Sequence, residues 1–89
     1  MTKRDRYEIR FDPYARKALG KIDKVDRRRV LARIERLADD PRPPGAALLK
    51  GRRGDWRIRA GDHRVIYTIQ DDVLLVLVIE VGHRSSIYH

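Results

Sequence analysis

The sequence predicts an α+β fold, with an N-terminal strand and a two-helix hairpin packed on a small, mainly antiparallel sheet. Three observations predict it. Apolar residues recur at helical spacing in the first half, they alternate around tight turns in the second, and Asp39-Asp40-Pro41-Arg42-Pro43-Pro44-Gly45 breaks the chain between them. At 89 residues the chain supports one modest core, so residues 1–89 are expected to form a single domain.

The elements follow in order. Tyr7-Glu8-Ile9-Arg10-Phe11 alternates as a half-buried strand does. Asp12-Pro13 is a helix start, with Asp as cap and Pro at the first helical position, and this helix should run from Pro13 to Leu19 and stop at Gly20. A second helix is expected from Asp23 to Ala38, because Val30, Leu31, Ile34, Leu37 and Ala38 share one face. Arg27, Arg28, Arg29, Arg33 and Arg36 fill the rest of its surface.

Beyond the proline-rich break, a short strand is expected over Ala46–Lys50, then a turn at Gly51-Arg52-Arg53-Gly54. Strands over Asp55–Ala60 and His63–Gln70 flank Gly61-Asp62, a hairpin turn of two residues. Val73–Val81 is apolar on both faces and should be a central strand. A two-residue loop at Asp71-Asp72 would pair Arg64 with Ile79 and bring Gly82-His83-Arg84 back toward Arg59 and Arg64.

Composition narrows the function classes. Lys and Arg number 21 against 13 Asp and Glu, a net charge of +8, which favours a polyanionic partner such as nucleic acid or an acidic protein. Arginine dominates, and its planar fork suits phosphate better than a point charge does. With no cysteine, disulfides and thiolate zinc sites are excluded. His63, His83 and His89 are too scattered for a metal site, so no metal or cofactor is expected. The apolar run Val73–Ile79 falls far short of the roughly 20 residues of a membrane span. The first six residues lack the apolar core of a signal peptide. A cytoplasmic location without a membrane partner is expected.

The Gly61-Asp62 hairpin gives the sharpest functional reading. Its register pairs Ala60 with His63 and Arg59 with Arg64, and alternation adds Arg57 to the same face. Trp56, Ile58, Val65 and Tyr67 then point the other way, toward the helices. Like charges directly across a strand pair are destabilising, so three clustered arginines suggest an anion-binding surface. The alternative is that they splay into solvent or pair with Asp55, Asp62 and Glu80. Arg84, Tyr88 and His83 are expected to join them from the end of the last strand, His83 as a phosphate contact or as a neutral packing residue.

Leu49-Lys50-Gly51, the run from Trp56 to Tyr67, Val81-Gly82-His83-Arg84 and Ile87-Tyr88 together resemble the RelE branch of the RelE/ParE toxins over nearly the whole chain. That resemblance implies a toxin of a type II toxin–antitoxin system, a metal-free endoribonuclease that cleaves mRNA on the ribosome and inhibits translation. It implies Arg59, Arg64, Arg84 and Tyr88 as catalytic residues, with Arg57, His83 and Lys50 binding substrate. Arg64 would hold phosphate, Arg84 would stabilise charge or serve the leaving group, and Tyr88 would orient or activate the 2′-hydroxyl. Arg57 and Arg59 would act electrostatically, since arginine is not deprotonated in proteins. The implied partners are a cognate antitoxin with an acidic or amphipathic segment, mRNA and the ribosome, and operator DNA through the antitoxin complex. Two alternatives stand beside this reading: a ParE-type inhibitor of DNA gyrase without nuclease activity, and a catalytically idle module that binds antitoxin and operator.

Overall fold

A computed structural model of the protein describes residues 6–51 and 54–83. Strand β1 covers Glu8–Phe11, helices α1 and α2 cover Pro13–Gly20 and Lys24–Arg36, and strands β2 to β5 cover Ala47–Leu48, Asp55–Ala60, His63–Gln70 and Leu75–His83. Both helices start where local chemistry directs. The Asp12 carboxylate accepts from the Tyr14 N–H at 2.8 Å, ahead of Pro13 at the first helical position. Asp23 does the same for the Asp26 N–H at 3.3 Å. Helix α2 stops at Arg36, short of the expected Ala38, because the Leu37 and Ala38 amides bond to the carbonyls three residues back and tighten the last turn.

The five strands form one sheet in the order β1-β5-β4-β3-β2, parallel between β1 and β5 and antiparallel elsewhere. Its main core lies on the face that the helices cover, while Ile66 is buried on the other face. Ala15 and Leu19 of α1 and Val30 and Ile34 of α2, with Leu37 just beyond, pack on Ile58, Ala60, Val65, Tyr67, Val76, Val78 and Val81. The architecture is the expected α+β arrangement of two helices on a mainly antiparallel sheet. Strand β2 is shorter than the expected Ala46–Lys50, retaining two pairs, Ala47 with Arg57 and Leu48 with Trp56.

The connection before β5 departs from the expected two-residue loop. Such a loop needs a positive φ at its first residue at least, which Gly61 supplies in the β3–β4 hairpin and which Asp71 does not favour. The chain instead makes a 3-10 turn over Asp71–Val73 and enters β5 through Leu74, left-handed at φ 52. Gln70 consequently pairs with Leu75. A bulge then places both Ile79 and Glu80 opposite Ile66. The turn moves the register by two residues and the bulge by one, so Arg64 pairs with Gly82 rather than with Ile79. The strand still returns to the Gly61 end, as expected, but its last residues remain within the sheet.

Candidate nucleic-acid interface

The β3–β4 hairpin has the predicted register throughout. Ala60 pairs with His63, Arg59 with Arg64 and Arg57 with Ile66 across the two-residue turn. Ile58, Ala60, Val65 and Tyr67 are buried beneath the helices, so alternation sends Arg57, Arg59 and Arg64 to the opposite, helix-free face. The three guanidinium groups therefore leave the sheet in one direction. Asp55 and Glu80 share that face, Asp55 two residues before Arg57 and Glu80 diagonal to Arg64 across the β4–β5 ladder. Three cations thus stand against two carboxylates.

Arg64 is the feature that sets this face apart from an ordinary basic surface. It is 5 % exposed and is the one buried polar or charged residue among the described residues. Arg57 is half-buried and Arg59 exposed. A buried guanidinium carries a desolvation cost and is always charged, so an uncharged side chain would serve a purely structural strand better. What burial gives in return is reach: a cation shielded from water acts far more strongly on an anion than one in bulk solvent. The residue facing Arg64 on β5 is Gly82, which sets no side chain beside it.

The other expected site residues are placed as follows. The bulge reverses the alternation of β5, so His83 lies on the helix-covered side, opposite His63. The two rings meet edge-on, with centroids 5.8 Å apart and planes at 78°. His83 is therefore on the opposite face from Arg59 and Arg64 and meets His63, which fits the second of its two expected roles, a packing residue, rather than the first. Lys50 is exposed in the turn before β3. Arg59 lies four steps along β3 from Asp55, where the strand starts, or about 13 Å. Lys50 is accordingly at the far end of β3 from the arginine pair. Arg84 and Tyr88 lie outside the described residues.

Two of the α2 arginines, read from the sequence only as part of that helix's surface, reach the hairpin. Arg33 Nε donates to the Arg59 carbonyl at 3.0 Å. Arg29 lies against the turn, its guanidinium 3.6 Å from where a Cβ on Gly61 would stand. Their four-residue spacing was legible as one helix face, but which strand that face meets is decided by tertiary packing. Beside the arginine face, a groove of about 410 Å³ opens between α1 and β5, lined by Tyr14, Lys17, Ala18, Lys21, Glu80, Val81 and Gly82.

The opposite end of the sheet is tied by a different network. Arg42 bonds Asp71 at 2.8 Å and lies over the Trp56 ring at 5.5 Å. The Tyr7 hydroxyl donates to Asp71 at 2.6 Å, and the buried Tyr67 hydroxyl donates to the Pro41 carbonyl at 2.7 Å. The hydrogen bonds from Arg42 and Tyr7 hold the Asp71 carboxyl down at about 2, and the carboxylate in turn raises the Tyr7 phenol. Burial pushes the Tyr67 phenol up to about 12.

This helix-on-sheet architecture is that of the small toxins of the RelE/ParE superfamily. Residues 9–88 match the family described as the ParE toxin of the type II toxin–antitoxin system parDE. A putative RelE-like toxin protein of Escherichia coli is 31 % identical over 88 residues, covering 94 % of this chain and 92 % of its own. Toxin RelG of Mycobacterium tuberculosis is 31 % identical over 87 residues, covering 92 % and 95 %. The toxin in the crystal structure of the intact E. coli RelBE toxin–antitoxin complex superposes with a TM-score of 0.76 at 26 % identity, covering 86 % of this chain and 95 % of its own. The protein belongs to the ParE toxin family of type II toxin–antitoxin systems.

Proposed function

We propose that this toxin is a metal-free endoribonuclease that cleaves mRNA on the ribosome and so inhibits translation. The observation that carries the reading is the row Arg57, Arg59 and Arg64 on the helix-free face, with Arg64 buried. Cleavage without a metal uses the neighbouring 2′-hydroxyl as nucleophile. Its oxygen attacks phosphorus, the 5′-oxygen leaves, one proton is removed from the nucleophile and one is delivered to the leaving group. Negative charge grows on the phosphate oxygens in between, and fixed cations aimed there are often the largest catalytic contribution. Arg59 and Arg64 hold the phosphate in this scheme and Arg57 supports the backbone beside it. Arg84 and Tyr88 serve the leaving group and the 2′-hydroxyl. His83, beside His63, and Lys50, at the far end of β3, are assigned no contact with the reacting phosphate.

The partner proposed for the free toxin is an antitoxin with an acidic or amphipathic segment. The net charge of +8 supports it, as does the likeness to a toxin crystallised in a toxin–antitoxin complex. Operator DNA would be reached through that complex. The match of residues 9–88 to the ParE family favours a second reading, inhibition of DNA gyrase without RNA cleavage. Primer extension on translated mRNA separates the two. The nuclease reading expects cleavage that requires ribosomes and disappears in Arg64→Ala and in Arg84→Ala. Intact mRNA with arrested gyrase supercoiling activity would establish the ParE reading, and neither activity would leave an idle antitoxin-binding module.

A further inference from the structure

We propose that Arg33, supported by Arg29 one turn earlier, is a positioning residue that locks the tip of the β3–β4 hairpin and so keeps Arg59 and Arg64 side by side. The proposal rests on the reading of that pair as a phosphate-holding site. In a two-residue hairpin the closing pair, here Ala60 with His63, exchanges its own hydrogen bonds. The next pair, Arg59 with Arg64, is then the one whose backbone groups point outward. On the outer side of β3 the neighbouring strand pairs only with Arg57 and Trp56 and does not reach Arg59. The Arg59 carbonyl thus stands at an open sheet edge, and the Arg33 Nε–H fills the place of the absent strand at 3.0 Å.

Arg29 completes the hold. Residues four apart lie on one face of a helix, and the Arg29 guanidinium and Cδ lie 3.6 and 3.8 Å from the position of a Gly61 Cβ, covering the turn where φ is +63°. Without these contacts the hairpin tip would be open along the outer edge of β3, with two opposed arginines pushing it apart. A catalytic group must be held within about half an ångström of its productive place, so a fraying tip would disperse the pair. The chemistry of the hold also points to function. A neutral Gln or Asn would satisfy one carbonyl without adding cations to a cationic end, whereas arginines here cost repulsion unless an anion is awaited.

The test compares Arg33→Met, which removes the donor, Arg33→Lys, which restores one, and Lys24→Met, the same charge loss on an exposed position of the same helix. Two readouts are used: amide hydrogen exchange, and affinity for a ten-nucleotide 2′-O-methyl RNA, which lacks the attacking hydroxyl and stays intact. Arg33→Met is expected to speed exchange at residues 60–63 at least tenfold, leave residues 65–69 within twofold, and weaken RNA binding at least tenfold. Arg33→Lys should recover most of both, and Lys24→Met should stay near wild type in exchange and lose only a few-fold in binding. Unchanged exchange at residues 60–63 in Arg33→Met overturns the hold. Faster exchange with a binding loss no larger than that of Lys24→Met overturns its link to the phosphate site. Failure of the wild type to bind the RNA would count against the nuclease reading instead, and the exchange data would still decide whether Arg33 locks the hairpin.

Discussion

The two ends of the sheet treat charge in opposite ways. At the Asp71 end every element of the network is matched: Arg42 to Asp71, the Tyr7 hydroxyl to the same carboxylate, the Tyr67 hydroxyl to the Pro41 carbonyl. That network ties the proline-rich segment, the start of β1 and the turn before β5 together. At the Gly61 end cations are gathered instead, with Arg59 opposite Arg64 and two more arginines reaching over from α2. Opposed like charges weaken a strand pair, a cost the Asp71 end avoids. On the proposed function, one end serves stability and the other anion recognition, so a change at one end should have an effect that the same kind of change at the other does not.

The largest effect is expected at Arg64. Replacing it with Met keeps the length and removes the buried charge, and because Arg64 is engaged in the folded protein, losing one side of that interaction also costs stability. Losing a cation aimed at developing charge costs roughly 10²–10³ in rate. Arg64→Met should therefore abolish translation arrest in a cell-free assay run well below its Tm, where the variant is folded, even though that Tm is lower than the wild type's. Arrest retained by the folded variant would make Arg64 a purely structural residue.

At the other end the order reverses. Tyr67→Phe leaves the Pro41 carbonyl unbonded in a buried place, a loss of about 1–2 kcal/mol, or on the order of 4–15 °C in Tm for a chain of this size. Translation arrest at a temperature well below Tm should be unaffected. A reduced arrest in a fully folded Tyr67→Phe protein would show that the two ends are coupled.

Asp71 should give the smallest effect, and one with a defined pH window. Its folded carboxyl titrates at about 2, below the ordinary 3.8, so the stability it adds is present above pH 3.8 and is lost as pH falls through about 2. The side chain is largely solvated, so the effect is modest. Asp71→Asn should lower Tm slightly at neutral pH, and the gap to wild type should close between pH 4 and 2. A gap that stays constant across that range would mean the carboxylate charge contributes nothing.

How much of this was legible beforehand differs between the same two ends. Gly61-Asp62 is a strong local turn signal, so the register of β3 and β4, and with it the shared face of Arg57, Arg59 and Arg64, followed from the sequence alone. Asp71-Asp72 carries no such signal, and the 3-10 turn with its left-handed Leu74 is set by the packing around it. The bulge at Ile79 and Glu80 was hidden because Val73–Ile79 is apolar on both faces, leaving no alternation for an extra residue to interrupt. That one residue is what moves His83 away from the arginines. The roles of Arg29 and Arg33 were hidden for another reason: helical periodicity shows which residues share a face, and contact between distant elements decides what the face touches.

The central claim is that the helix-free face binds a phosphate backbone through its arginine row. The salt dependence of binding to a 2′-O-methyl RNA oligonucleotide tests it most directly, since each phosphate neutralised on a single strand contributes about 0.7 to the slope of log affinity against log salt. Changing Arg57, Arg59 and Arg64 together to Met should lower that slope by about 2 and leave the far-ultraviolet circular dichroism unchanged. An unaltered slope in a folded triple variant would contradict the claim and place RNA contact elsewhere on the molecule.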